Sequence, residues 1–186
     1  METLAFKSAA AFRRWLAANH AKVDGLWLHF HKKDSGQPTI TRAEALDQAL
    51  CHGWIDGQAK PCDAGSWLQK FTPRRARSGW SKMNTQHADR LIKSRKMTPA
   101  GLQAIAAAKA DGRWHAAYDS PRNAAPPQDF LDALAKNKKA RAFFKTLNRA
   151  NLYAIVYRLQ TAKKTETRER RLQNILAMLN RGEKFH

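Results

Sequence analysis

The sequence predicts an α+β protein, in which a small antiparallel β-sheet with two helices forms the N-terminal part and packs on a C-terminal helical bundle. Two patterns carry this prediction. Residues 26–31 alternate between the two faces of a strand, whereas beyond residue 84 apolar residues recur every three or four positions, the period of a helix. Three prolines interrupt this helical half and indicate a linker over residues 119–128.

The first helix and the first strand follow directly from local patterns. Ser8 can cap a helix in which Phe12, Trp15 and Leu16 recur at helical spacing. The alternating segment 26–31 then predicts a strand with its leucines and phenylalanine on one face and its tryptophan and histidines on the other.

A second helix and two further strands complete the predicted N-terminal part. Thr41 and Glu44 have the spacing of a capping box, in which threonine and glutamate side chains bond reciprocally to free backbone amides. The helix that they begin should stop at Gly53. Residues 54–60 and 66–72 are interpreted as the second and third strands.

The rest of the chain is predicted to be helical. Ser81 can cap a helix that runs to about Lys96, and Thr98, followed by proline, can cap another that ends near Gly112. Four apolar helical patterns follow the linker, the last of them closed by Gly182. We therefore expect an α+β domain, connecting helices, a linker and a helical bundle at residues 1–80, 81–118, 119–128 and 129–186.

Composition indicates a soluble globular protein and excludes several classes. The 186 residues are 43% hydrophobic and 26% charged, which is unlike a disordered chain. No apolar run approaches the roughly 20 residues that a membrane helix needs. No secretory signal is visible, and Cys51 and Cys62 fit no paired redox or metal motif. A cytoplasmic location, no membrane insertion and no cofactor are expected.

The net charge of +19 is concentrated in the second and last thirds of the chain. Residues 1–60 hold 8 basic and 6 acidic groups, residues 61–125 hold 12 and 4, and residues 126–186 hold 14 and 5. Such a surface attracts polyanions. Nucleic-acid binding with weak sequence selectivity is therefore one hypothesis, although no recognition motif accompanies the charge.

The segment 71–84 is the best candidate for a ligand site. It places three arginines between a proline and the predicted start of a helix, so that their backbone is fixed at both ends. Arginine on such a frame loses little entropy when it binds a carboxylate or phosphate. Arg74, Arg75 and Trp80 are the main ligand-binding candidates, with Ser78 and Asn84 beside them, although Asn84 also suits a capping role.

Three residues outside this segment, two of them charged, are added to the site. Trp54 and Asp56 share one face of the predicted second strand, where Asp56 could bind an arginine structurally or serve as a base. Arg168 lies on the apolar stripe of the last helix and must find a partner, because an unpaired buried charge is costly. We expect Asp56 to be that partner, with the ligand bound at the junction of the two parts.

The sequence gives less support for other kinds of functional site. His29 and His31 share a strand face, but two imidazoles need a third ligand and none lies nearby in sequence, so no metal site is predicted. Cys51 and His52 are adjacent on a helix, where side chains point about 100° apart, so a Cys–His dyad is not expected. No phosphate loop, dinucleotide fingerprint or nucleophile elbow is present.

Three motifs in order, at residues 50–57, 71–84 and 165–172, make the chain similar to the bacterial YdeI/OmpD-associated family, also called bacteriocin-protection proteins. The resemblance implies a cytoplasmic protein linked to stress or antimicrobial tolerance, and supplies no catalytic residues. The favoured hypothesis is a non-enzymatic protein that binds an anionic small molecule. Nucleic-acid binding is the alternative, and an enzyme with Asp56 as its base is a third hypothesis.

Overall fold

The computed structural model describes every residue from Met1 to His186. The chain forms two compact units: the first comprises residues 1–80 and 84–115, and the second comprises residues 81–83 and 116–186. The first unit contains a sheet with helices and the second contains helices, so the α+β class predicted from the sequence is confirmed.

The sheet of the first unit has four strands rather than two or three. In chain order they are β1 (Thr3–Ala5), β2 (Leu26–His31), β3 (Trp54–Asp63) and β4 (Ser66–Pro73). They lie in the order β1-β2-β4-β3, with β1 parallel to β2 and the other pairs antiparallel, so the sheet is mixed. β1 was not predicted, because its three residues are too few to show an alternating pattern.

The core of the first unit lies between the sheet and two helices, α1 (Ala9–Asn19) and α2 (Arg42–Cys51). The predicted alternation of β2 is confirmed, since Leu26, Leu28 and Phe30 are buried and the residues between them are half-buried. Both predicted caps are also confirmed. The Ser8 side chain accepts a hydrogen bond from the backbone at the start of α1, and α2 begins with a complete capping box.

A short 3₁₀ turn (Lys33–Ser35) follows β2, and two longer helices, α3 (Lys82–Lys93) and α4 (Pro99–Ala110), follow the sheet. Thr98 occupies the N-cap position of α4, as expected, but its side chain makes no capping hydrogen bond. Its hydroxyl instead donates to the carbonyl oxygen of Cys51 at 2.6 Å. This bond ties the start of α4 to the end of α2.

The second unit is built mainly from four helices: α5 (Gln128–Ala135), α6 (Lys138–Phe144), α7 (Arg149–Gln160) and α8 (Thr165–Asn180). Their apolar stripes form one core, as the helical periodicity predicts. Its buried members are Phe130, Leu134, Ala140, Ile155, Leu159, Leu172, Ile175 and Leu179. None of the helices in the whole chain combines the length and the apolar character that a membrane crossing requires.

Candidate functional site

A cavity of about 420 Å³ lies within the first unit. Its walls come from the beginning of β3, the end of β4 with the turn that follows it, and one face of α4. Seven lining residues carry side chains that can hold a ligand by charge, hydrogen bonding or aromatic contact. They are His20, His52, Trp54, Arg74, Arg75, Gln103 and Arg113.

Glycines set the position of α4 against this cavity. Gly53 has a φ of +73°, a conformation that other residues rarely adopt, and a Cβ there would lie 3.0 Å from the carbonyl oxygen of Ala100. A Cβ on Gly101 would lie only 2.4 Å from the carbonyl oxygen of Cys51. Glycine at both positions therefore allows the first turn of α4 to rest directly on the end of α2.

One face of α4 forms an open wall. Ala100, Ala104 and Ala107 line the cavity together with Gln103, at the three- and four-residue spacing that places side chains on one helix face. The alanine side chains are short, so this face leaves room for a ligand. Gln103 supplies the one amide side chain on this wall, with both donor and acceptor atoms.

Arg74 is held in place from several directions. Its backbone amide donates to the carbonyl oxygen of Gly53 at 2.9 Å, and its Nη1 donates to the carbonyl oxygen of Gly79 at 3.2 Å. The guanidinium carbon lies 3.5 Å from the ring centre of Trp80, a cation–π contact. The Trp80 ring also contacts Trp114, with ring centres 4.9 Å apart.

Arg113 is buried and oriented, whereas Arg75 is exposed. The Arg113 side chain is 10% exposed, its Nη1 donates to the carbonyl oxygen of Ser78 at 2.9 Å, and its Nε lies 2.7 Å from a carboxylate oxygen of Asp111. Arg75 makes no side-chain hydrogen bond or ion pair. No acidic side chain lines the cavity, so the charged side chains in its wall are all cationic.

Two histidines lie at the back of the cavity, with ring centres 5.5 Å apart. Nδ1 of His52 bonds to the carbonyl oxygen of Gln48, and Nδ1 of His20 bonds to that of Leu16, each at 2.9 Å. A carbonyl oxygen only accepts, so each Nδ1 must carry the proton. Burial is the main cause that lowers the pKa of His52, so at neutral pH its Nε2 is a hydrogen-bond acceptor.

The neighbouring thiol of Cys51 is not activated. Burial, with a smaller contribution from the nearby Asp47, raises the pKa of Cys51 to about 11. The thiol therefore stays protonated at neutral pH, and a protonated thiol is a poor nucleophile. Nδ1 of His52 bonds to the Gln48 carbonyl oxygen and not to this thiol.

The structure brings several of the predicted site residues together. Trp54, Arg74 and Arg75 line the cavity. Ser78 and Trp80 lie behind them, where Ser78 accepts the hydrogen bond of Arg113 through its carbonyl oxygen and Trp80 carries Arg74 on its ring. Trp80 is only 2% exposed and is not part of the cavity wall.

The other predicted site residues lie elsewhere, and the expected Asp56–Arg168 pair has to be corrected. Asp56 lies on β3 and forms an ion pair with Arg42 at the start of α2, both in the first unit. The distance from the Asp56 carboxylate oxygen to Nη2 of Arg42 is 2.6 Å. Arg168, in the second unit, forms a two-pronged ion pair with Asp129, with one of its two bonds at 2.9 Å. Both charges thus have partners within their own unit. Asn84 lies in the first turn of α3, outside the cavity wall.

Four cavity residues were not predicted from the sequence, namely His20, His52, Gln103 and Arg113. His52 follows Cys51 in the sequence and immediately precedes the Gly53–Trp54 pair at the beginning of the cavity wall. The stripe of alanines on α4 was a second available signal, because such a face can line a cavity. Arg113 follows the end of α4 by three residues and gave no signal in the sequence.

Two known families match the chain, one over its N-terminal part and one over its C-terminal part. Residues 4–104 match a family described as "Domain of unknown function (DUF8412)", and residues 123–182 match a family described as "Bacteriocin-protection, YdeI or OmpD-Associated". No curated protein and no solved structure matches the chain. Of the three motifs that carried the resemblance, the last falls in the second match and the first two in the first match. The chain therefore belongs to the DUF8412 family, whose match covers more than half of it, and its C-terminal residues 123–182 are similar to the bacteriocin-protection, YdeI or OmpD-associated family.

Proposed function

We propose that this protein binds an anionic small molecule, bearing a carboxylate or a phosphate, in the cavity of its first unit. One observation carries the proposal: Arg74, Arg75 and Arg113 line a single cavity that has no acidic side chain in its wall. Guanidinium groups bind carboxylates and phosphates through paired, charge-assisted hydrogen bonds, which are about twice as strong as neutral ones.

The dimensions and the other lining groups narrow the ligand. A volume of about 420 Å³ lies within the range of about 300–1,000 Å³ that is typical of small-molecule pockets. Ala100, Ala104 and Ala107 supply an apolar wall, while Gln103 and the Nε2 of His52 can accept hydrogen bonds. A compact anion that also carries a hydroxyl or amine donor and an apolar portion satisfies all of these groups.

Two of the three cavity arginines are held in position before a ligand binds. Arg74 and Arg113 are already held by backbone carbonyls and by contacts with Trp80 and Asp111. A ligand therefore does not have to order these side chains, and the entropy cost of binding is reduced accordingly. Arg75, which has no ion-pair partner, provides the charge that a ligand would neutralise.

The family description suggests the cellular process in which the ligand is bound. We propose that the protein is cytoplasmic and non-enzymatic and contributes to stress or antimicrobial tolerance by capturing its ligand. The bacteriocin-protection description of the C-terminal family supports this role.

The test is a thermal-shift and calorimetric screen with small phosphates, carboxylates and antimicrobial compounds that carry these groups. A true ligand at 100-fold excess over its Kd stabilises the protein by about 2.7 kcal/mol. We expect Arg75→Ala to abolish this shift, and Arg75→Lys, which keeps the charge but loses the paired geometry, to weaken binding about tenfold or more.

The matched control is Arg77→Ala, because Arg77 is exposed on the same turn but does not line the cavity. It should bind the ligand like the unmodified protein. A screen without any ligand, or a ligand whose binding is the same in Arg75→Ala, would refute the proposed site.

A second candidate function is polyanion binding by the second unit. Three arginines, Arg158, Arg171 and Arg181, line a cleft of about 650 Å³ there, in a part of the chain with 14 basic and 5 acidic residues between positions 126 and 186. Binding to nucleic acid would fall with salt, with a slope of log K against log salt near −0.9 for each phosphate contacted. A flat salt dependence would remove this candidate and leave the first one intact.

A further inference from the structure

Three side chains with metal-binding atoms come together at one end of the sheet. A ring nitrogen of His29, the Sγ of Cys62 and a carboxylate oxygen of Asp63 all lie within 4.8 Å of one another. His29 belongs to β2 and the other two to the end of β3, with β4 hydrogen-bonded between these strands. The cluster therefore joins residues that are more than 30 positions apart in sequence.

His29 has an unmet hydrogen-bonding requirement. Its Nε2 is buried and has no hydrogen-bond partner. The large majority of buried polar side-chain atoms in proteins are hydrogen-bonded, because leaving such an atom unpaired costs about 1–3 kcal/mol. A ligand on Nε2 would meet the requirement, and a metal ion binds the same lone pair that a hydrogen-bond donor would use.

The donor set indicates which ion would fit. Imidazole nitrogen, thiolate sulfur and carboxylate oxygen are the three ligand types of Zn²⁺ in proteins. Ca²⁺ and Mg²⁺ require oxygen ligands, so a set with nitrogen and sulfur excludes them. We propose that His29, Cys62 and Asp63 form a Zn²⁺ site, with Nε2 of His29 as its nitrogen ligand and a fourth position taken by water.

The geometry needs only a small adjustment. Zn²⁺ binds these atoms at about 2.0–2.3 Å, so a tetrahedral arrangement holds them about 3.3–3.6 Å apart. The atoms lie within 4.8 Å of one another, and Cys62 and Asp63 are exposed and can approach by rotation of their side chains. On binding, the Cys62 thiol releases its proton to solvent, because the thiolate is the form that binds metal.

Neighbouring groups support the ligands. The Oδ1 of Asp63 accepts a hydrogen bond from the backbone amide of Gly65 at 2.7 Å, which helps to hold the carboxylate in place. His31 lies beside His29, with ring centres 4.6 Å apart, as a second imidazole on the same strand face. No third ligand lies near the two histidines in the sequence, but the strand order β2-β4-β3 brings Cys62 and Asp63 to His29.

The test uses Zn²⁺ alone, added to metal-free protein in competition with a chromophoric chelator, and Co²⁺ as a spectroscopic substitute. We expect one ion per chain, a sulfur-to-cobalt absorption band, and protection of Cys62 from alkylation by Zn²⁺. Cys62→Ser and His29→Ala should each lower the affinity by at least about tenfold, and Cys62→Ser should abolish the band.

His115→Ala is the control, since His115 is an exposed histidine outside the cluster. It should bind Zn²⁺ normally. Cys62 is exposed, so Cys62→Ser is expected to fold, and circular dichroism of the metal-free variants verifies this. The proposal would be overturned if the unmodified protein did not bind Zn²⁺, or if Cys62→Ser bound Zn²⁺ with unchanged affinity.

Discussion

Arg75 differs from the other two arginines of the cavity because its side chain makes no hydrogen bond, ion pair or ring contact. Arg113 lies against Asp111, and Arg74 rests on the Trp80 ring. An arginine that already has an ion-pair partner contributes less to the free energy of ligand binding, because the ligand must compete with that partner. Arg75 is therefore the residue at which substitution should separate ligand binding most cleanly from the stability of the fold.

His52 should make the stability of the protein depend on pH. Burial is the largest cause that lowers its pKa below the usual 6.5. The unfolded chain then binds a proton at a higher pH than the folded protein does. The contribution of neutral His52 is fully present above about pH 6.5 and is lost as the pH falls toward the lowered value. We expect the free energy of unfolding, measured by urea denaturation, to decline between pH 7 and pH 5.

The comparison for this prediction is His52→Gln, which does not titrate but can still donate to the Gln48 carbonyl. Its free energy of unfolding should decline less over the same pH range. Carboxylates with lowered pKa values, such as Asp129 and Glu44, destabilise the fold only at more acidic pH, so they do not obscure the result. Equal slopes for the two proteins would show that His52 is not the responsible group.

The contact between α2 and α4 shapes the cavity at the level of elements. Thr98 donates to the carbonyl oxygen of Cys51 at 2.6 Å through its hydroxyl and at 3.1 Å through its amide. Gly101 lies so close to the Cys51 carbonyl oxygen that a side chain at this position would clash with it. A shift of α4 would carry the alanine wall with it, so the fit of these two helices determines the cavity volume.

Gly101→Ala tests this contact. In an exposed helix interior, replacing glycine by alanine stabilises by about 1 kcal/mol. Here the new Cβ would lie 2.4 Å from the Cys51 carbonyl oxygen and 2.6 Å from the Sδ of Met97. We therefore expect a loss of about 1–3 kcal/mol in the free energy of unfolding, together with weaker ligand binding. The exposed neighbour Leu102 offers a control, because Leu102→Ala should change stability little, and a gain in stability for Gly101→Ala would contradict the described contact.

The pair between Arg168 and Asp129 joins α8 to α5 within the second unit. The side chains are 31% and 49% exposed, so water and salt weaken their attraction. Arg168→Ala should cost about 0.2–1 kcal/mol, rather than the 3–5 kcal/mol expected when a buried pair is broken. A double-mutant cycle with Asp129→Ala measures the coupling, and a value above about 2 kcal/mol would show that the pair is more deeply buried than described.

At the scale of the whole molecule, charge is the dominant feature. The net charge of +19 arises from 34 basic and 15 acidic residues, so most basic side chains lack an acidic partner. Repulsion between like charges destabilises a compact state. The same excess draws anions toward the protein, which suits a protein that captures an anionic ligand.

This repulsion predicts a dependence of stability on salt. Raising ionic strength from 0.01 M to 0.15 M shortens the screening length from about 30 Å to about 8 Å. We expect the melting temperature to rise with sodium chloride over this range, in Arg75→Ala as well as in the unmodified protein, because screening acts on the whole surface. A fall in melting temperature would mean that attractive ion pairs, such as Arg90–Asp47, outweigh the repulsion.

The sequence alone was sufficient for features that depend on neighbours along the chain. The alternation of β2, the capping box at Thr41 and Glu44, and the apolar stripe of α8 follow from strand and helix periods and from local hydrogen bonds. The framed arginines of residues 71–84 were also recognisable, since proline and a helix start hold their backbone. Each of these patterns lies within a few residues, where geometry is nearly fixed by covalent structure.

Only the tertiary structure decided which distant side chains meet. It gave Arg168 the partner Asp129 in place of Asp56, added Arg113 to the cavity wall, and brought Cys62 to His29 through the pairing of strands. Several carboxylates could have neutralised any one arginine, and local patterns do not distinguish among them. The choice depends on strand order and helix packing, which are set by burial of the whole core.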